Sequence, residues 1–432
     1  MRSGATPLVV PVVSTVMGDV TAIDVRAEVE AWFAATWDPE MTVGEWWKRL
    51  SAAGYSAPML PTELGGKGYP RDLAMIVSSV LAEHEAVGPP MGLGLSLAAP
   101  TIAVHGTAEQ QARFIAPIVD GTEAWCQLFS EPGAGSDLAG LQTKAVRDGD
   151  EYVVTGQKVW TSGGQYADWG MLVARTDPDA PKHKGLSYFA FDMHQPGVDV
   201  RPLREMTGRA LFNEVFIDEA HVPAANLIGG LNNGWAVANT TLTVERNSIG
   251  SGGNTGLGVA LPGTIAGHLH QPVGKFRSKR AATGAGAYGQ RNVTQLIDIA
   301  RTLGRHRDPH VRQGLAELHT LTQLNVWNVA RARSGQGRNG VEGNLAKLLL
   351  TATLRRARQV ANEIIGADGM LWGPGTVSDG VIQEMTVFSP APSIYGGTDQ
   401  IQRNITAERG LGLPKEPGDQ RDVPFKDLPK NG

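Results

Sequence analysis

The chain is poor in residues that could cross-link it or anchor it in a bilayer. Its 432 residues include a single cysteine, Cys126, so no intrachain disulfide and no cysteine-based metal cage can form. A reducing, cytoplasmic compartment is the expectation. Nowhere do about 18 apolar residues run together, so no transmembrane helix is expected. Neither sign of charge dominates. Lys plus Arg number 39 and Asp plus Glu 43, a formal net charge of −4. That balance gives no electrostatic reason to bind nucleic acid or a membrane surface. The opening MRSGATPLVVPVVSTVMGDV has no continuous hydrophobic region, because Pro7 and Pro11 break it. It reads as a disordered leader rather than a secretory signal, with Met17 as an alternative start.

Several motifs of well-known chemistries are also missing or out of place. There is no G-x-S-x-G, so a nucleophilic serine hydrolase has no support. GAGAYG at 284–289 has the spacing of a dinucleotide fingerprint but follows RSKRAAT, not a strand. His268 and His270 stand two apart with no nearby third ligand, so a metal site is not expected.

What is present falls into an order. Residues 22–123 read as helices: IDVRAEVEAWFAAT sets Val25, Val29, Trp32 and Phe33 at helical spacing, and Thr107 reads as an N-cap. From Trp125 the texture becomes short β-rich runs as far as about Ile228, with a hairpin signal at Asp148–Gly149. From Gly234 helices return, including GWAVANTTLTVERNSIG and a long one from Asn344 to Gly366. Runs of one element type argue for an α+β protein with separate layers. The expected division is a leader at 1–20, a helical domain at 21–123, a β domain at 124–230, a helical domain at 231–415 and a tail at 416–432. Inside the last helical domain, the glycine-rich 250–290 stretch with its basic KFRSKR reads as a solvated loop insertion or a basic lip for phosphates.

Two stretches suggest a planar, phosphate-bearing ligand. CQLFSEPGAGSDLAG puts Ser130 and Ser136 in a turn-rich loop with free backbone N–H groups. About 25 residues later, GQKVWTSGG offers the flat face of Trp160 beside the Thr161 and Ser162 hydroxyls. A third stretch, APSIYGGTDQIQRN, sets two glycines before a helix but carries no acid, base or nucleophile in its loop.

SEPGAGSDLAGLQTKAVRDGDEYVVTGQKVWTSGG, NEVFIDEAHVPAANLIG and YGGTDQIQRNITAERGLGLP, in this order, resemble the signature of the acyl-CoA dehydrogenase family. The resemblance covers about 22–415. It implies a helical N-terminal domain, a middle β-barrel or sandwich domain and a C-terminal four-helix bundle. It also implies FAD as cofactor and oxidation of an acyl-CoA thioester to its trans-2-enoyl form. By that resemblance Gln127, Phe129, Ser130, Gly135 and Ser136 line the flavin and pyrophosphate. Trp160 lies against the isoalloxazine ring, with Thr161 beside it, and Ser162 bonds near N5. Arg305 and Gln313 reach FAD in a neighbouring subunit, and Glu363, Gly366 and Ala367 meet its adenosine end there. Thr398 and Gln400 hold the cofactor from its own subunit. Ser136, Thr243, Arg246 and Gly397 are the implied substrate contacts. The implied partners are an electron-transfer flavoprotein as electron acceptor and related subunits in a homotetramer or an α2β2 heterotetramer. One departure is that GRHRDP lacks the aromatic that often follows the arginine at position 305.

Abstracting the α-proton of a thioester needs a positioned carboxylate. Many family members carry it directly after the tyrosine of the tail motif, where this chain has Gly396. Glu245, before Arg246 in TLTVERNSIG, matches the position used by some branched-chain and long-chain members. The resemblance thus implies Glu245 as base and the Gly396 backbone N–H as a donor to the thioester oxygen. Two alternatives stay open: a catalytically deficient partner subunit of a mixed tetramer, and an oxidase of the same fold. The acyl chain can be straight, branched or steroid-derived.

Overall fold

The computed structural model describes residues 20–250, 259–277, 290–333, 340–415, 417, 420 and 422–429. The leader through residue 19 and the GAGAYG stretch lie outside them. The elements follow the α, β, α order expected of an α+β chain. The N-terminal layer holds α1 (Ala22–Thr36), α2 (Val43–Ala52), α3 (Arg71–Glu83), α4 (Ala99–His105) and α5 (Ala108–Val119). Thr21 caps α1 in a reciprocal box with Asp24, and Thr107 caps α5 with Gln110, which satisfies N–H groups that a helix start leaves free. Val25, Val29 and Phe33 recur every fourth residue and form the buried face of α1.

Eight strands form one sheet: β1 (Trp125–Leu128), β2 (Lys144–Asp148), β3 (Glu151–Ser162), β4 (Trp169–Arg175), β5 (Leu186–Asp192), β6 (Val198–Leu203), β7 (Phe212–Pro223) and β8 (Leu227–Ile228). Their order is β6-β7-β3-β2-β4-β5-β8, with β1 parallel to β4. The β2–β3 hairpin forms as expected, but Asp148 pairs with Glu151, so its two-residue turn is Gly149–Asp150, one residue later than the Asp-Gly signal suggests. β5, LSYFAFD, is apolar through most of its length because it is covered on both faces.

The C-terminal layer comprises α6 (Gly234–Gly250), α7 (Gln290–Thr302), α8 (Pro309–Arg333), α9 (Glu342–Ile365), α10 (Val381–Phe388) and α11 (Asp399–Ile405). α9 is its hub, packing against α6, α7, α8, α10 and α11. It begins at Glu342, two residues before the expected start, and ends where Gly366 takes φ 57°. α10 carries no clear start signal in the sequence.

The 250–290 insertion corrects a reading. Its described part, residues 259–277, is no solvated loop: Ala260, Leu269 and Val273 are buried in the core that α1, α2 and α3 share. Val43 N–H donates to the Gln271 carbonyl at 2.9 Å and Val273 N–H to Met41 at 2.8 Å. Of the basic cluster, Arg277 faces Glu85 at 3.8 Å, and residues 278–280 lie outside the described part.

Lys158 of β3 has no exposed surface. Its ammonium donates to the Phe129 carbonyl at 3.0 Å, the Val173 carbonyl at 2.9 Å and Glu131 Oε1 at 2.9 Å. Glu131 also accepts from the Gln142 N–H at 2.6 Å and the Thr143 N–H at 2.9 Å. Both ions are therefore hydrogen-bonded as well as paired, the condition under which a buried pair is tolerated. Lys158→Met should cost about 3–5 kcal/mol in urea unfolding of the cofactor-free chain, because Glu131 is left buried and unpaired. A loss below about 1 kcal/mol would show the pair to be structurally idle.

Candidate active site

The 129–141 loop and the end of β3 meet at the Lys158 anchor. The Val159 N–H donates to the Ser130 carbonyl at 2.9 Å, which holds the two together one residue from Trp160. Trp160 sits in a bulge where the β3–β7 register shifts between Lys158 and Thr161. Its φ is 62°, a left-handed conformation that costs a large residue about 1–2 kcal/mol. Trp160 is 57% exposed, and its ring meets Phe212 edge-on at 5.8 Å. Strained backbone that holds a large flat ring in solvent is a mark of a binding surface.

Around Trp160 the expected residues divide. Ser162 is partly exposed, and Gly135 and Ser136 are exposed on the loop, with open space where a Gly135 side chain would be. Thr161 has no exposed surface, so its hydroxyl does not stand beside the Trp160 face as expected; its Oγ1 is unpartnered. Phe129 is buried edge-on to Tyr188, so its side chain serves the core.

Glu245 reaches this region on α6. Gly234 starts that helix because its N-terminus presses on β5: a Cβ there would lie 2.5 Å from the Ser187 carbonyl carbon. Two turns on, the buried Thr241 hydroxyl meets Thr101 of α4 at 2.9 Å and Tyr188 of β5 at 3.4 Å. Glu245, about 16 Å along the helix from Gly234, is then hydrogen-bonded by Gln127 of β1. Burial pushes its carboxyl above the ordinary glutamate range, opposed by the Arg246 charge and the Gln127 hydrogen bond. Arg246 donates to Thr243 Oγ1 at 3.0 Å, and burial and the nearby Arg409 charge lower its pKa.

The glycine loop is set from behind. Gly396 and Gly397 have φ 61° and 80°. Gln402 of α11 donates to the Gly396 carbonyl at 2.7 Å and is itself held by Asn344 of α9. Thr398 caps α11, accepting from the Ile401 N–H at 3.2 Å, and Gln400 is exposed. Beneath the loop, buried Asp399 receives Lys347 and Thr351 at 3.1 Å each and Arg355 at 2.7 Å, so its carboxyl stays below the ordinary aspartate range despite burial. The sequence motif shows the glycines but not Gln402, Asn344 or Lys347, whose roles depend on α9 lying alongside. Polar residues on the inner face of a long helix were the available signal.

Arg305, Glu363, Gly366, Ala367 and Gln313 belong to another region, around the end of α9. Arg305 pairs with Asp308 at 2.9 Å and lies 3.8 Å from where a Gly366 side chain would start. Gln313, Glu363, Gly366 and Ala367 are exposed.

Three family models match in sequence order: acyl-CoA dehydrogenase N-terminal domain over residues 21–122, middle domain over 126–219 and C-terminal domain over 269–411. The chain belongs to the acyl-CoA dehydrogenase family. It is 37% identical to acyl-CoA dehydrogenase IpdE1 of Mycobacterium tuberculosis, over 86% of this chain and 88% of that one. Among solved structures it is similar to the Tcur3481-Tcur3483 steroid ACAD, with 28% identity and a TM-score of 0.69 over 91% of this chain and 98% of the other. It is also similar to the ChsE4-ChsE5 complex from Mycobacterium tuberculosis, with 27% identity and a TM-score of 0.66 over 96% and 100%. The chain is accordingly an acyl-CoA dehydrogenase, an enzyme of a family that is FAD-dependent in general. The residues present fit such a cofactor: an exposed, strained Trp160 and a partly exposed Ser162 stand at the end of β3, and the 129–141 loop tied to that strand end carries Gly135 with open space around it.

Gly397→Ala tests the clamp behind the glycine loop. A Cβ at Gly397 would lie 2.6 Å from Gln402 Nε2, at a φ that alanine resists. We expect thermal unfolding to show a loss of about 1–3 kcal/mol. Wild-type stability would mean that the loop is free to move away from Gln402.

Proposed function

We propose that this chain removes the α-proton and the β-hydride of an acyl-CoA thioester to give the trans-2-enoyl thioester, with Glu245 as base. The observation that carries the reading is one carboxylate, raised by burial and set by Gln127 at the junction of α6 and β1, in a chain whose tail motif has no side chain at Gly396. FAD, when bound, supplies the hydride acceptor. Trp160 and Ser162 give its ring a face and a hydroxyl, and the 129–136 loop gives its phosphates backbone N–H groups. Arg305, Gln313, Glu363, Gly366 and Ala367 serve the cofactor of a neighbouring subunit, and Thr398 and Gln400 the cofactor of their own.

Glu245 is suited to the proton transfer because a carboxylate with a raised pKa is a stronger base than a solvated one. The Gly396 N–H, fixed through Gln402, donates to the thioester oxygen as negative charge develops there. A backbone donor survives the loss of a side chain, so the absence of an acid at 396 leaves this part of the site intact. Ser136, Thr243, Arg246 and Gly397 border the substrate. The side-chain-free 396–397 corner leaves room for a branched or ring-bearing acyl group, consistent with the steroid ACAD among the similar structures. The electron acceptor is an electron-transfer flavoprotein, and the assembly is a tetramer of this chain or of this chain with a related one.

Glu245→Gln should keep its yellow colour but fail to bleach when mixed anaerobically with a ring-bearing acyl-CoA that bleaches wild type. Bleaching at the wild-type rate would move the base elsewhere. The acid side of the pH profile carries a second test. Burial favours the protonated, inactive form of Glu245, so kcat/KM should rise with pH through a limb above the ordinary glutamate value of about 4.3. Arg246→Gln removes a charge that favours the carboxylate, so it should move that limb to higher pH. A limb that stays in place or moves down would separate Glu245 from the titration.

A further inference from the structure

The C-terminal tail lies beyond the family match, which ends at residue 411, and its described segment 422–429 folds back onto the β sheet. The Phe425 N–H donates to the Ala180 carbonyl and the Lys426 N–H to the Pro178 carbonyl, each at 3.0 Å, and Pro424 pairs with Pro181 in an antiparallel bridge. All three contacts fall on the turn between β4 and β5. The Lys426–Asp179 ion pair at 2.7 Å is exposed on both sides and adds little.

Phe425 is the one buried residue of a segment that is otherwise exposed or half-buried. It is 7% exposed, and its ring centre lies 3.6 Å from the guanidinium carbon of Arg175, itself 4% exposed. Arg175 is a junction. Its Nη2 donates to the Ala139 carbonyl at 2.6 Å and the Leu141 carbonyl at 3.3 Å, and its Nη1 to the Lys182 carbonyl at 2.7 Å. Lys182 in turn reaches Asp137 at 2.7 Å. Tail, turn and the 131–141 loop are thus stacked in series, and Ser136 lies on the last of them.

We propose that residues 422–429 are a strap that positions the 131–141 loop, with Phe425 and Arg175 as positioning residues. A guanidinium covered by an aromatic face is shielded from water and held flat, so its N–H groups stay aimed at the loop carbonyls. Uncovering it lets water compete for the same donors, and the loop loses its outer support while Lys158 still holds its inner end.

The decisive measurement is amide hydrogen exchange on the cofactor-free chain, which needs neither substrate nor turnover. In Phe425→Ala, and in the chain ended after residue 421, the Ala134, Gly140 and Leu141 N–H groups should exchange about tenfold faster or more, with α1 unchanged. Phe425→Tyr, which keeps the flat ring, should restore the wild-type rates. Unchanged loop exchange after the tail is released overturns the proposal. So does acceleration that extends to α1, which would show a general loosening instead of a local strap. The link to catalysis rests on the dehydrogenase reading and is read separately. In the FAD-loaded enzyme Phe425→Ala should raise KM for an acyl-CoA about fivefold with kcat within about twofold. A wild-type KM in a variant with a faster-exchanging loop overturns that link alone.

Discussion

An ammonium group with no access to water organises the centre of this protein. Lys158 must find acceptors for its three protons, and it finds them on two pieces of chain: Phe129 and Glu131 at the start of one loop, and Val173 in β4. Glu131 must in turn find donors, and takes two backbone N–H groups from the far end of the same loop. Satisfying these two charges therefore fixes the start and end of the glycine-rich loop against β3 and β4. The bulge that turns Trp160 outward begins beside Lys158, so the geometry of the flat surface depends on the same anchor. Arg175 repeats this logic on the outer side of the loop, with carbonyls as acceptors and a tail aromatic as its cover.

The position of α6 is the second constraint. Gly234 lets its first turn press on β5, and the Thr241 hydroxyl locks its middle between α4 and β5. With two points of a rigid helix fixed, the placement of Glu245 beside Gln127 follows. The glycine loop is built by a different route, from behind, through α9 and α11. Gln402 and Asn344 shape its backbone, while Lys347 and Arg355 neutralise the aspartate beneath it. Glu245 and the 396–397 loop thus stand on different helices, and both helices pack on α9.

Local signals in the chain were sufficient for most elements. The Thr107 cap, the four-residue spacing of Val25, Val29 and Phe33, and the Asp148–Gly149 hairpin signal each act over a few residues, and each element forms, the hairpin with its turn one residue later. Signals that act across the fold were illegible. Residues 259–277 looked like a solvated glycine-rich loop, because three scattered apolar residues, Ala260, Leu269 and Val273, have no periodicity of their own. Their burial depends on a surface presented by α1, α2 and α3. Phe425 has the same history: one aromatic in a polar tail gives no sign of a buried guanidinium some 250 positions earlier.

By itself the sequence determined the order of layers, the helices that carry Glu245 and Thr398, and the residue types available to the site. It also excluded disulfides, since a single Cys126 has no partner. Tertiary structure alone decided which of those residues are exposed and which are buried. Lys158 and Val159 are neighbours in one strand and both are buried, because a bulge interrupts the alternation of the strand; beyond the bulge alternation resumes, with Thr161 inside and Ser162 partly exposed. It also decided that the carboxyl of Glu245 is held above its ordinary range, because a pKa reflects the solvent a fold removes and the charges it brings near. Neither quantity is a property of a residue in an extended chain.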